Sequence, residues 1–223
     1  MSIYYSKEGL YREVSNLKKS IGLDEDEYKF DLINICKNND ILIENVNFKT
    51  NSLKGIASIG QLGKQDVILL NCNKNDMEKN FICCHELIHL ELHRNCEQKE
   101  FNCFEKVLPK QNPFYEYQAN EGAAEMFVPY KVLLPIIRNN YEWLNTGDDF
   151  SIFKKKLAAC FQVTQMVIEF RLESLKYEIN QHLAGVKIED IKILSLSQQA
   201  KKNIKVESIN DIERNLFFNE IFG

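Results

Sequence analysis

The chain has 223 residues, of which 44% are hydrophobic and 27% are charged, and its formal net charge is −4 at pH 7. This composition is typical of an ordinary globular protein and excludes disorder on a large scale. Acidic and basic residues are mixed along the chain, which disfavours a nucleic-acid binder because such proteins usually carry a basic stripe.

The N-terminus is polar from its first residues, and no apolar run in the chain is long enough to span a bilayer. We therefore expect no signal peptide, no membrane association, and a soluble protein in the cytoplasm. The seven cysteines agree with this compartment, because their number is odd and their spacing matches no disulfide framework.

In chain order, the first elements are predicted to be two amphipathic helices followed by a small sheet. Apolar residues such as Leu10, Val14 and Leu17 recur three or four positions apart, as they do on one face of a helix. Short runs rich in β-forming residues, bounded by turn residues, indicate strands. The predicted helices span 6–19 and 25–37, and the predicted strands span 41–46, 55–59 and 66–71.

A long helix is predicted to follow over about 75–93, with Asn75 or Asp76 as its cap. Residues 95–113 lack clear periodicity and are predicted to form a loop, after which a second long helix spans about 115–127. Further helices are predicted over 130–139, 150–160 and 164–178, and residues 188–194 fit either a strand or a short helix.

The first long helix carries the pattern His-Glu-x-x-His. Residues four apart lie on one helix face with Cβ atoms about 5–6 Å apart, so His85 and His89 can both bind one zinc ion. Glu86 lies next to the first ligand and can take a proton from the attacking water, whose pKa zinc lowers to about 7. The pattern predicts a zinc metalloprotease with one zinc ion per chain and Glu86 as its general base.

A catalytic zinc needs a third protein ligand, and the sequence offers two sources. His93 lies about 12 Å from His85 along the helix axis, so we expect it to end the helix or to support a ligand. On the second long helix, Glu116 shares a face with Asn120. Geometry favours Glu116 as the ligand and Asn120 as its supporting partner, whereas a solvated charge at a helix start is the alternative interpretation of Glu116.

The two helical segments together resemble the ImmA/IrrE family of metallopeptidases. That family pairs a helical His-Glu-x-x-His with a downstream Glu-x-Gln/Glu-Ala-Asn segment ending in proline. The chain reads His-Glu-Leu-Ile-His-Leu-Glu-Leu-His-Arg over 85–94 and Glu-Tyr-Gln-Ala-Asn-Glu-Gly-Ala-Ala-Glu-Met-Phe-Val-Pro over 116–129. The resemblance covers about residues 25–180 and implies zinc ligands at His85, His89 and Glu116, with Glu86 as general base.

The sequences of these two segments differ from the family's common pattern at three places. Ile88 occupies a position where relatives often have glycine, Gly122-Ala123 replaces a frequent Phe-Ala, and Gln118 stands where an acid is common. The expected fold remains of class α+β, with a zincin-like metalloprotease core, a small β-sheet and a helical C-terminal part.

We expect a zincin-like domain over 1–140, a helix-turn-helix-like segment over 141–184 and a C-terminal extension of unknown role over 185–223. The resemblance implies a protein substrate, a helix-turn-helix (XRE-type) repressor of a phage, mobile-element or stress-response circuit. One alternative is a catalytically silent, zinc-containing protein that sequesters a repressor or toxin. Another is a DNA-binding regulator that uses residues 156–176, although direct nucleic-acid binding is disfavoured.

Cysteines flank the zinc motif on both sides. Cys83 and Cys84 directly precede it, and Cys96 and Cys103 follow it in the predicted loop. A thiolate there could compete for zinc or report oxidation, whereas buried and inert thiols are the favoured interpretation.

Overall fold

The computed structural model describes residues 4–222, and these form ten α-helices, four β-strands and one 3₁₀ turn. The small sheet and the helical C-terminal part confirm the predicted α+β class. Residues 1–3 and 223 lie outside the described range. They belong to the polar N-terminus and to the first and last of the predicted segments.

The chain divides into two compact units, of which the first holds Gly9–Phe127 with Tyr4 and Tyr5, and the second holds Ser6–Glu8 and Val128 onward. The elements up to residue 127 are α1 (Lys7–Ser20), α2 (Leu32–Asn38), β1 (Leu42–Val46), β2 (Leu53–Ser58), β3 (Val67–Asn71), α3 (Asp76–Leu92), β4 (Glu100–Phe104) and α4 (Pro113–Phe127).

The four strands form one sheet in the order β1-β3-β2-β4. Strand β3 pairs in parallel with β1 and antiparallel with β2, and β2 pairs antiparallel with β4. Ile68 and Leu70 of the inner strand β3 are fully buried. Because α3 packs against β2, β3, β4 and α4, the helix with the zinc motif lies in the core of the first unit.

Helix α3 begins with a capping box. The side chain of Asn75, one of the two predicted caps, accepts a hydrogen bond from the backbone N–H of Glu78, whose carboxylate accepts one from the N–H of Asn75. Two of the N–H groups that a helix start leaves unpaired are thereby satisfied. This fixes the start of the helix nine residues before the first histidine of the motif.

The second unit consists of helices and one 3₁₀ turn. Its elements are α5 (Tyr130–Tyr141), α6 (Gly147–Phe161), α7 (Gln165–Ser174), α8 (Lys176–Leu183), the 3₁₀ turn (Ile188–Asp190), α9 (Leu196–Lys201) and α10 (Ile209–Phe222). Two buried lysines in this unit are each paired with a carboxylate: Lys7 lies 3.1 Å from Glu178, and Lys154 binds Glu213. The pairing matters because an unpaired charge in such a place would strongly oppose folding.

The predicted helix over 25–37 is wrong in its first half, because α2 starts only at Leu32. The side chain of Asn80 on α3 accepts a hydrogen bond from the N–H of Leu32 at 2.8 Å and donates one to the carbonyl of Phe30 at 2.9 Å. These two bonds hold the preceding stretch in a non-helical path. A tertiary contact of this kind leaves no trace in local periodicity.

The predicted loop over 95–113 contains a strand, β4, which pairs with β2. Its signal is only five residues long and consists of buried Phe101 and Cys103 alternating with more exposed neighbours. The predicted helix over 164–178 is divided at Leu175 into α7 and α8. Residues 188–194 contain a short helix of the 3₁₀ type, Ile188–Asp190, as one of the two predicted alternatives, and not a strand.

The predicted division into three domains, with boundaries at residues 140 and 184, stays a prediction. The two compact units reflect which parts of the chain pack together, and they do not test these boundaries. Within the described range, every helix is too short or too polar to cross a bilayer.

Replacing Asn75 by alanine should lower the free energy of unfolding by about 1 kcal/mol, because the cap of α3 is lost. Asn75→Asp is the matched control, since its carboxylate can accept the same hydrogen bond and should keep most of the stability. Urea denaturation of the three proteins measures the differences. Equal stability of wild type and Asn75→Ala would contradict the importance of the cap.

Candidate metal centre

Three buried side chains from two helices converge at the centre of the first unit. His85 and His89 lie one turn apart on α3, and Glu116 lies in the first turn of α4. The two Nε2 atoms are 3.2 Å apart, His85 Nε2 is 3.4 Å from Glu116 Oε2, and His89 Nε2 is 3.6 Å from Glu116 Oε1. The structure therefore brings together the two histidines of the motif and the carboxylate expected as the third ligand.

These distances fit a zinc ion. Zinc–nitrogen and zinc–oxygen bonds of about 2.0–2.2 Å in a tetrahedral site place neighbouring donor atoms about 3.3–3.6 Å apart. The observed separations of 3.2, 3.4 and 3.6 Å have this size. Two imidazoles and one carboxylate also form a donor set used by catalytic zinc, leaving the fourth position open.

Asn120 orients the first histidine. Its Oδ1 lies 3.2 Å from His85 Nδ1, and because an amide oxygen can only accept, Nδ1 carries the hydrogen. In the neutral ring, Nε2 then presents its lone pair towards His89 and Glu116. The structure thus places Asn120 where the helical phase of α4 predicted a supporting partner.

A two-step hydrogen-bond chain orients the second histidine. Gln118 Oε1 lies 2.8 Å from His93 Nε2, so this nitrogen donates and His93 Nδ1 is left to accept from His89 Nδ1 at 2.9 Å. His89 Nε2 therefore keeps its lone pair for a metal. His93 caps the C-terminus of α3, and both of its nitrogens are engaged away from Glu116.

Aromatic rings pack against these imidazoles. Phe101 of β4 stacks on His89 with a centroid distance of 4.4 Å, and Tyr115 of α4 stacks on His93 at 4.5 Å. Stacking of this kind limits ring rotation and keeps water from the faces of the rings. The orientation of both histidines is thus fixed by packing as well as by hydrogen bonds.

Glu86 lies on the side of α3 that faces the sheet. It is fully buried, and neither carboxylate oxygen has a partner at hydrogen-bonding geometry among residues 4–222, although the backbone of Ala57 is close enough to lower its pKa against the larger raising effect of burial. A Cβ atom on Gly55 of β2 would lie 2.7 Å from Glu86 Oε1, so glycine is needed for the strand to pass this carboxylate. A buried acceptor without a partner beside a three-donor group is what a general base for water requires.

The electrostatics of the centre reflect its burial. Burial raises the pKa of Glu86 to about 8, against the lowering influence of His85. Burial also lowers the pKa of His89, and the neighbouring His85 and His93 add to this effect. For His85, burial opposes the charged form, but Cys103 and the Glu116 carboxylate outweigh it and raise the pKa.

Sequence reasoning placed the motif, Glu116, Asn120 and His93 in this region but assigned no role to several neighbours. The sequence indicated Gln118 only as a difference from the family pattern, without a role in the site. A glycine inside a predicted strand, Gly55, was a usable signal for close approach of the backbone. Phe101 could not be found, and Cys103 entered only as one of several cysteines near the motif, because both reach the centre through a strand that was predicted as a loop.

Comparison with protein families gives one match. A family model described as the IrrE N-terminal-like domain, Peptidase_M78, matches residues 36–173, which is more than half of the chain. The match contains both helices that supply the three donors, and it supports a metallopeptidase type of activity. No curated protein matches the chain.

Glu116→Ala should weaken zinc binding far more than His93→Ala does. The first change removes a ligand, whereas the second removes a hydrogen bond that orients one, and such supporting bonds contribute about 10–100-fold in metal affinity. Titration against a chromophoric chelator measures both affinities. Glu125→Ala is the matched control, because Glu125 is a buried carboxylate of the same helix that lies near Lys18.

Glu125→Ala should leave zinc affinity close to that of the wild type. A larger loss in His93→Ala than in Glu116→Ala would contradict the assignment of the third ligand.

Proposed function

The chain belongs to the Peptidase_M78 family of IrrE N-terminal-like domains, and we propose that it is a zinc-dependent endopeptidase acting in the cytoplasm. The observation that carries the proposal is the buried, unpartnered carboxylate of Glu86 directly beside the group formed by His85, His89 and Glu116. A purely structural zinc site has no use for such a base.

Each residue has a part in the proposed reaction. His85, His89 and Glu116 would hold the zinc ion, which when bound would supply Lewis acidity to the scissile carbonyl and to the attacking water. Glu86 takes a proton from that water and passes it to the departing amine. Burial raises the pKa of Glu86 to about 8, and the positive charge of a zinc ion beside it would lower the pKa again and favour the charged carboxylate that a general base requires.

The sheet offers a place for an extended substrate. Strand β4 lies at the end of the strand order, and its Phe101 contacts His89. An extended peptide can bind such an edge by adding one more strand, with main-chain hydrogen bonds supplying affinity. In this proposal the substrate chain runs along β4 and thereby meets the metal centre.

The proposed substrate is a helix-turn-helix (XRE-type) repressor in a phage, mobile-element or stress-response circuit. This part rests on the resemblance to the ImmA/IrrE family, whose members often cleave a repressor encoded beside them. The family match is consistent with it, because it extends over both segments that carry the resemblance.

The alternative of a DNA-binding regulator receives no support from the described side chains of α7. Arg171, the basic residue of this helix, is fully buried and donates to the carbonyl of Val128 at 3.0 Å. The exposed positions of the helix are Met166 and Phe170. A helix that reads base edges needs accessible basic or amide groups, so these observations favour packing over DNA recognition.

Glu86→Gln should fold and bind zinc but lose hydrolysis, with kcat/KM falling by about 10²–10⁴, because the amide cannot act as a base. The measurement is mass spectrometry of a proteome-derived peptide library after incubation with zinc-loaded enzyme. Glu91→Gln is the matched control, since Glu91 is on the same helix but lies towards Arg94, 3.8 Å away.

A second arm uses the helix-turn-helix protein encoded nearest to this chain. Cleavage by wild type, but not by Glu86→Gln or in the presence of a chelator, supports the proposed substrate. Equal inactivation of that protein by both enzymes without fragments would favour sequestration over proteolysis.

A further inference from the structure

A second group of potential metal donors overlaps the first. Nitrogen, oxygen and sulfur atoms of His85, Glu86 and Cys103 lie within 4.8 Å of one another, and all three side chains are buried. His85 belongs to both this group and the one with His89 and Glu116. A thiol therefore lies directly beside the centre that the proposed function uses.

The fold brings this thiol to the centre through β4. Phe101 and Cys103 are the buried positions of that strand, and Phe101 stacks on His89. Cys103 is paired in register with Gly55 of β2, the residue whose missing Cβ makes room for Glu86. Cys103 also raises the pKa of His85 against the opposing effect of burial, in keeping with the short distance between the two side chains.

Glu86 gives an independent indication that something binds between these residues. Both of its oxygens are buried and have no partner at hydrogen-bonding geometry within the described chain, and one of them lies within 4.8 Å of donor atoms of Cys103 and His85. Buried polar atoms are nearly always paired, so an open pair of acceptors beside a thiol and an imidazole points to a bound ligand. Thiolate sulfur and imidazole nitrogen together suit zinc.

We propose that Cys103 is an exchangeable fourth protein ligand of the metal, which closes the coordination position needed by the attacking water. On binding, the sulfur would displace water from the metal and the thiol proton would pass to Glu86; on release, the sulfur–metal bond would break, the proton would return to the sulfur and water would take the open position again. This inference rests on the proposed metal site and adds a closed resting state to it.

Exchange follows from the geometry. Donor atoms of Cys103, His85 and Glu86 lie within 4.8 Å of one another, but Cys103 forms no such group with His89 and Glu116. Neighbouring sulfur and nitrogen donors of a tetrahedral zinc are only about 3.5 Å apart, so Cys103 has to move towards the ion. A ligand that binds only after such a movement is readily displaced by substrate.

The test substitutes cobalt for zinc in the purified full-length protein. A cobalt–thiolate bond produces a charge-transfer band in the near ultraviolet, which should be present in wild type and lost in Cys103→Ala and Cys103→Ser. Cys96→Ala is the matched control, because Cys96 is equally buried but its Sγ lies 3.1 Å from the hydroxyl of Tyr115. It should keep the band.

X-ray absorption at the zinc edge of the wild type gives a readout that needs no variant. We expect about one sulfur neighbour at about 2.3 Å beside nitrogen and oxygen neighbours at about 2.0–2.2 Å. Bound metal without a sulfur neighbour would overturn the role of Cys103 and leave the proposed metal site intact. A band that persists in both Cys103 variants would overturn it as well, and failure to bind metal at all would overturn both proposals.

Discussion

The first unit has to bury two carboxylates and two imidazoles in one small volume. Glu86 and His89 are fully buried, and His85 and Glu116 are almost so. Burial of a carboxylate disfavours its charged form, and the raised pKa of Glu86 expresses this. A divalent cation between the two helices would offset that penalty and would thereby couple metal binding to the stability of this core.

The same core fixes which nitrogen of each histidine is free. Asn120 accepts a hydrogen bond from His85 Nδ1. Gln118 accepts one from His93, which in turn accepts one from His89. Both Nε2 lone pairs then converge without any rearrangement, which lowers the entropic cost of binding a metal. Gln118 fills a position where relatives commonly carry an acid, and its amide oxygen can accept the hydrogen bond from His93.

The close approach of α3 and α4 explains two further departures from the family pattern. A Cβ on Gly122 would lie 3.1 Å from Ile88 Cδ1, so the larger residue on α3 uses the space left by the smaller one on α4. The motif spacing and the phase of α4 sufficed to predict the helices and their convergent faces, because both depend on local periodicity. Gly55, Phe101 and Cys103 approach through strand pairing instead, and local sequence does not encode which strand lies over which helix.

The central claim is that α3 and α4 together form one metal site. Anomalous X-ray scattering at the zinc absorption edge, from crystals grown with zinc, tests it most directly. The account predicts one strong peak per chain, about 2.0–2.2 Å from donor atoms of His85, His89 and Glu116. A strong peak elsewhere in the chain, or a peak that contacts His93 in place of Glu116, would contradict it.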